Sequence, residues 1–175
     1  MATHQIRVFG DPVLKRPAAP VTDIDGGLVK LVDAMYETMY DAPGVGLAAP
    51  QIGVQRRFFV YDIGEGEGPH VLLNPEIVEA ADEWTYEEGC LSLPGLAFEV
   101  VRPKVVTVRG QDLDGNEVEL VGDELLGRVF LHEIDHLDGV LMLDRLDKAS
   151  RKQAMRELRE QGMGVPTPGG RTHAL

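Results

Sequence analysis

His132 and His136 stand four residues apart with Glu133 directly after the first, in the stretch HEIDH. On a helix such a pair lies about 5–6 Å apart on one face, so two neutral imidazoles can hold one cation. Glu133, one step round the cylinder, can lean toward that cation without binding it and handle the protons of its bound water. A buried histidine pair satisfied by backbone would show the same spacing. The apolar helical flank, with Leu125 and Val129 on the side of the two histidines, favours the metal. A catalytic cation wants three protein ligands and one open position, and the third donor must come from elsewhere.

Three positions compete for it. A third histidine six residues after the second would complete one pattern, but that position is Met142. A glutamate on a later helix would complete another, and Glu157 lies at a suitable distance. Glu157 and Glu160 alternate with Arg151, Lys152, Arg156 and Arg159, however, as on a solvated, ion-paired helix face. The remaining candidate is Cys90, in EEGCLSLPG, the single cysteine of the chain. A lone cysteine is usually a small buried hydrophobe. Here Gly89 permits close backbone approach, and a polar-to-apolar turn between strands surrounds the thiol.

The elements that must position these groups are legible in outline. Leu28, Leu31, Val32, Met35 and Met39 recur at helical spacing and predict a helix over 27–40. Pro43, Gly44 and Gly46 break it. Strand-like runs follow at 57–62, 71–74, 76–80, 96–102, 104–111 and 118–121, with Asp114-Gly115 as a hairpin signal between the last two. A second helix is expected from an N-cap at Asp123 to Gly139, and a third from a capping box at Ser150–Gln153 to about Gln161. Strands on both sides of a central helix, joined mostly by hairpins, indicate an α+β fold, with one domain over residues 1–161 and a flexible tail over 162–175.

With 175 residues the chain can bury a full core. No stretch has the apolar length of a membrane span, and the N-terminal residues lack the apolar segment of an export signal. One cysteine excludes an internal disulfide and suits a reducing compartment. A formal charge of −12 argues against general DNA or RNA binding. Residues 144–161 depart from that charge, with six basic and four acidic side chains.

Three segments, GVGLAAPQ (44–51), EGCLS (88–92) and HEIDH (132–136), stand in the order and spacing of bacterial peptide deformylases, which the chain resembles over most of residues 5–161. FGDPVLK near the start and DHLDGVLMLD after the histidines extend the resemblance, and the helical C-terminal segment resembles the class with a C-terminal helix. The resemblance implies that Cys90, His132 and His136 bind one divalent metal ion. Ferrous iron is the family's common choice, with zinc, nickel or cobalt able to occupy the site. It further implies Glu133 as general acid and base, with Gln51 and the Leu91 N–H stabilising an oxyanion. Gly46 would let the substrate backbone pass. The reaction implied is removal of the N-formyl group from the initiator methionine of new polypeptides, in the cytoplasm. Val45, Leu125 and Val129 are candidates for the methionine pocket. Arg128 sits awkwardly beside them, expected to point outward or to touch the bound peptide. The basic C-terminal helix would dock on the ribosome.

Overall fold

In a computed structural model, which describes residues 3–163, the chain forms seven strands and three α-helices. Helix α1 (Gly26–Asp41) starts at Asp25, whose carboxylate accepts the Leu28 N–H at 2.8 Å. Strands β1 (Gly46–Ala48), β2 (Phe58–Tyr61), β3 (His70–Ala81), β6 (Val105–Gln111) and β7 (Glu117–Asp123) make an antiparallel sheet in the order β1-β2-β3-β6-β7. Strands β4 (Trp84–Cys90) and β5 (Leu93–Arg102) form a separate hairpin. Helix α2 (Leu125–Leu137) carries the histidines, and α3 (Lys148–Glu160) closes the described chain.

The period-two alternation of β2 explains why the sheet is covered on both faces. Phe59 and Tyr61 pack with Phe130, Ile134 and Leu137 of α2, while Phe58 and Val60 pack with Leu28, Val32, Met35 and Met39 of α1. Burying a side chain such as Phe130 contributes about 1.5–3 kcal/mol. A third cluster joins Leu93 and Leu96 of β5 to Leu141–Leu143 and to Ala154 and Leu158 of α3. The fold is thus α+β, with antiparallel strands around the helix that carries HEIDH.

Several local expectations change. The strands expected on either side of Pro75 are one strand, β3, which passes the proline at a register shift between Leu73 and Glu76. Proline donates no ladder hydrogen bond, and a bulge removes the need for one. Asn74, at φ +49, holds the bulge with its side chain, bonded to both N–H and C=O of Val21. Asp123 does not cap α2. It ends β7, and Glu124 makes the turn at φ +51 with its N–H on Lys104 O. That strand-to-helix corner is tight, for a Cβ on Gly122 would lie 2.7 Å from the Gly127 nitrogen. Helix α3 starts earlier than Ser150, because Asp147 is its N-cap and accepts both the Ser150 N–H and hydroxyl. Of the expected tail, Gly162 and Met163 close α3 through bonds to Arg159 O and Leu158 O, and the rest lies outside the described residues.

Candidate metal centre

Helix α2 is buried along almost its whole length and presents His132 and His136 toward the β4–β5 hairpin, at whose turn Cys90 sits, and Glu133 toward Gly46 of β1. Strand β4 supplies the third donor. Its sequence WTYEEGC is too acidic to read as a core strand, and pairing with β5 rather than apolar burial holds it in place. Cys90 Sγ lies 3.4 Å from His136 Nε2, which lies 3.2 Å from His132 Nε2. Donor atoms of Cys90, His132 and His136 all fall within 4.8 Å of one another. Ordinary zinc-type bond lengths in a tetrahedron would place two nitrogens about 3.3 Å apart and sulfur and nitrogen about 3.6 Å apart. The two closest spacings match a shared cation, and the three side chains fit it as a set. Among the described residues the cluster has only these three members, the number of protein ligands a catalytic cation takes. Glu157 stands outside it, with its carboxylate accepting from Gln153 at 3.1 Å.

The backing of the site was not anticipated. His132 Nδ1 faces Glu88 Oε1 at 2.7 Å, the kind of partner that fixes an imidazole's tautomer and leaves Nε2 free to ligate. Glu88 is itself held by Arg102 in a two-pronged pair at 2.7 and 3.0 Å and by Arg128 at 2.8 Å. Burial pushes the Glu88 carboxyl up, but bonds and charge from His132 and Arg102 outweigh it and hold the group well below the usual carboxylate range. Burial also pushes His136 well below its ordinary pKa, with the charges of His132 and Arg102 adding to the effect. His132 moves the opposite way, because its burial is outweighed by bonds from Cys90 and Glu88 and by the charges of Cys90 and Glu133.

Arg128 does not point outward, although it belongs to the wall of the cavity beside the histidines. It is 3% exposed, donates to Glu88, Val100 O and Trp84 O, and lies over the Trp84 ring. The signal for this was present: an arginine inside an apolar helical run needs a buried carboxylate, and Glu88 lies beside the candidate cysteine.

Glu133 is buried, and its Oε2 has no hydrogen-bond partner among the described residues. Burial raises its pKa to about 7, with His132 pulling down and Glu88 pushing up. The carboxylate occupies the room that Gly46 leaves, for a Cβ there would lie 2.6 Å from Glu133 Oε1. Gly44 makes similar room for Leu91, whose Cδ1 would lie 2.8 Å from an added Cβ. Gly89 is less constrained, since its Cβ would make ordinary contact at 3.5 Å with Leu96 O. Gln51 is buried on the opposite wall. Its Oε1 accepts the Ala48 N–H at 2.9 Å, and its amide NH₂ donates to Ser92 Oγ at 3.1 Å and points at Cys90 Sγ, 4.0 Å away. Val45, Gly46, Leu91, Leu125 and Val129 line, with His132, Glu133 and Cys90, one open cavity of about 420 Å³.

The sequence profile of the polypeptide deformylase family matches residues 3–152. This chain belongs to the polypeptide deformylase family. A peptide deformylase of Acidothermus cellulolyticus is 53% identical over 160 residues, 91% of this chain and 88% of its own. The crystal structure of a Legionella pneumophila peptide deformylase superposes with a TM-score of 0.87 at 44% identity, covering 92% of this chain and 96% of that one. The crystal structure from Thermus thermophilus gives 0.85 at 44% identity, covering 91% and 95%. As a deformylase, the chain is a metal-dependent hydrolase that removes the N-formyl group from the initiator methionine of new polypeptides, releasing formate. None of its helices is long and apolar enough to cross a membrane, among the described residues.

Proposed function

We propose the following division of labour within one catalytic domain, residues 1–161. Cys90, His132 and His136 hold the cation, Glu133 moves the proton, and Gln51 with the Leu91 N–H binds the developing oxyanion. The observation that carries this reading is the convergence of three donor atoms beside a buried carboxylate oxygen with no partner. When bound, a divalent cation supplies Lewis acidity and makes water nucleophilic near neutral pH. A thiolate with two imidazoles suits ferrous iron in the cell and accommodates zinc, nickel or cobalt.

Glu133 Oε2 accepts the proton of the attacking water and returns it to the leaving amine nitrogen, because an amide nitrogen departs poorly unless protonated. Its raised pKa suits both directions of that transfer. The Gln51 amide is held by the Ala48 N–H on its oxygen, which turns its NH₂, shared with Ser92 Oγ, toward the site. One such donor is worth about 2.7–4 kcal/mol at the transition state. Leu125 and Val129, on the turns of α2 before His132, and half-exposed Val45 form the apolar wall for the methionine side chain. Gly46 contributes by leaving Glu133 its place as well as by keeping the substrate's path clear. The enzyme works in the cytoplasm, and its basic segment 144–161 docks on the ribosome, where formylated chains emerge.

The deciding experiment measures formate release from a formyl-methionyl peptide beside an internally cleavable peptide. Product from the first alone is expected, and it should vanish in Glu133→Ala while bound metal and fold persist. Cleavage of the second peptide would overturn the reading.

A further inference from the structure

The charged groups behind the histidines continue past Glu88 to the surface. Arg102, bonded through two nitrogens to Glu88, extends its remaining nitrogen to Asp135 Oδ2 at 2.8 Å. Asp135 lies on α2 directly before His136. Its two oxygens are gripped by Arg145, Oδ1 at 2.8 Å and Oδ2 at 3.1 Å. Arg145 belongs to the 3₁₀ turn Met142–Arg145 that leads toward α3, and its side chain is 49% exposed. From His132 to the surface the chain thus reads Glu88, Arg102, Asp135, Arg145, with charges alternating at every link. The side chains of Glu88 and Arg102 are 5% exposed and that of Asp135 is 10%. Buried charges in this arrangement have few alternative partners, so the orientation of each is set by the next.

We infer that Arg145 is a positioning residue for the metal centre, acting through Asp135, Arg102 and Glu88 on His132 Nδ1. The inference rests on the assignment of Cys90, His132 and His136 as the ligands. Arg145 fixes Asp135 with two nitrogens, and Asp135 fixes the one Arg102 nitrogen that Glu88 does not hold. Glu88 Oε1 is shared between Arg102 and His132, so a swing of the Arg102 guanidinium moves the acceptor that orients the imidazole. A group that alters a cation site through such intermediaries is expected to change its affinity by about 2- to 30-fold.

Arg151 provides the control. It is equally exposed, sits on α3 and pairs with Asp144 at 3.0 Å, but has no bond to Asp135. The full chain is loaded with Co²⁺, and its affinity is measured by chelator competition, alongside the absorption of the cobalt–thiolate chromophore and the metal-free melting temperature. Arg145→Leu should lower cobalt affinity about 2- to 30-fold and shift the chromophore, while Arg145→Lys restores part of the affinity and Arg151→Leu matches the native chain. Native affinity in Arg145→Leu would overturn the inference, and so would an equal loss in Arg151→Leu, which would make the effect one of C-terminal packing. Failure of the native chain itself to bind Co²⁺ would remove the metal-centre assignment along with it.

Discussion

Replacing Gly46 by alanine adds one methyl group at the most crowded point of the site. The new Cβ would lie 2.6 Å from Glu133 Oε1, 3.0 Å from its Cδ and 3.1 Å from its Cγ. Contact between carbon and oxygen becomes comfortable at roughly 3.4 Å, so the carboxylate must retreat by about 0.8 Å. Glu133 cannot do this freely, because it is itself buried and its neighbour His132 is tied to Glu88. Displacements of about 1 Å in a catalytic group cost about 100-fold, and overpacking of this kind costs about 1–3 kcal/mol of stability. At about 2–4 °C per kcal/mol for a domain of this size, the variant should melt several degrees lower. It should also release formate about 100-fold more slowly from a formyl-methionyl peptide, with metal content unchanged. In a Glu133→Ala background the clash is gone, so the same substitution should leave the melting temperature almost unmoved. A Gly46→Ala enzyme within threefold of native activity, or an equal loss of stability in both backgrounds, would refute the reasoning.

Cys90→Ser and His136→Ala should each lose tightly bound metal, whereas Glu157→Ala should retain it; metal content after gel filtration decides between them. Arg128→Leu strips Glu88 of a buried partner and should destabilise the fold by about 3–5 kcal/mol, read from urea unfolding. Acid stability follows from Glu88 and Asp144, both held below their ordinary pKa values. For Asp144, burial pushes up but is outweighed by bonds from the Leu141 N–H, Arg151 and Lys15. A depressed folded pKa gives stabilisation that is complete above the unfolded value, near 4, and lost as pH falls through the folded one. The free energy of unfolding should therefore decline steeply below about pH 4. Glu88→Gln should flatten that slope, and an unchanged slope would contradict the assignment.

The histidine pair and its glutamate were readable because one helix fixes their relation: spacing along the chain is geometry when the period is known. The three long helical patterns and the hairpin at 105–123 were readable for the same reason, since an amphipathic repeat or an Asp-Gly turn is a local property. Strand β4 was not, because WTYEEGC carries no apolar alternation and exists only through its pairing with β5. The single strand through Pro75 was also hidden, for its bulge is held by Asn74 reaching Val21, 53 residues away. From the chain itself, therefore, came the pairing of His132 with His136, the adjacent carboxylate of Glu133 and the α+β class. Tertiary structure alone decided that Cys90 Sγ meets both rings, that Gly46 makes room for Glu133, and that Arg128 is buried against Glu88 rather than turned to solvent. Those facts depend on contacts between residues about 40 to 90 positions apart, and no local periodicity records which distant partner a buried charge or thiol will find.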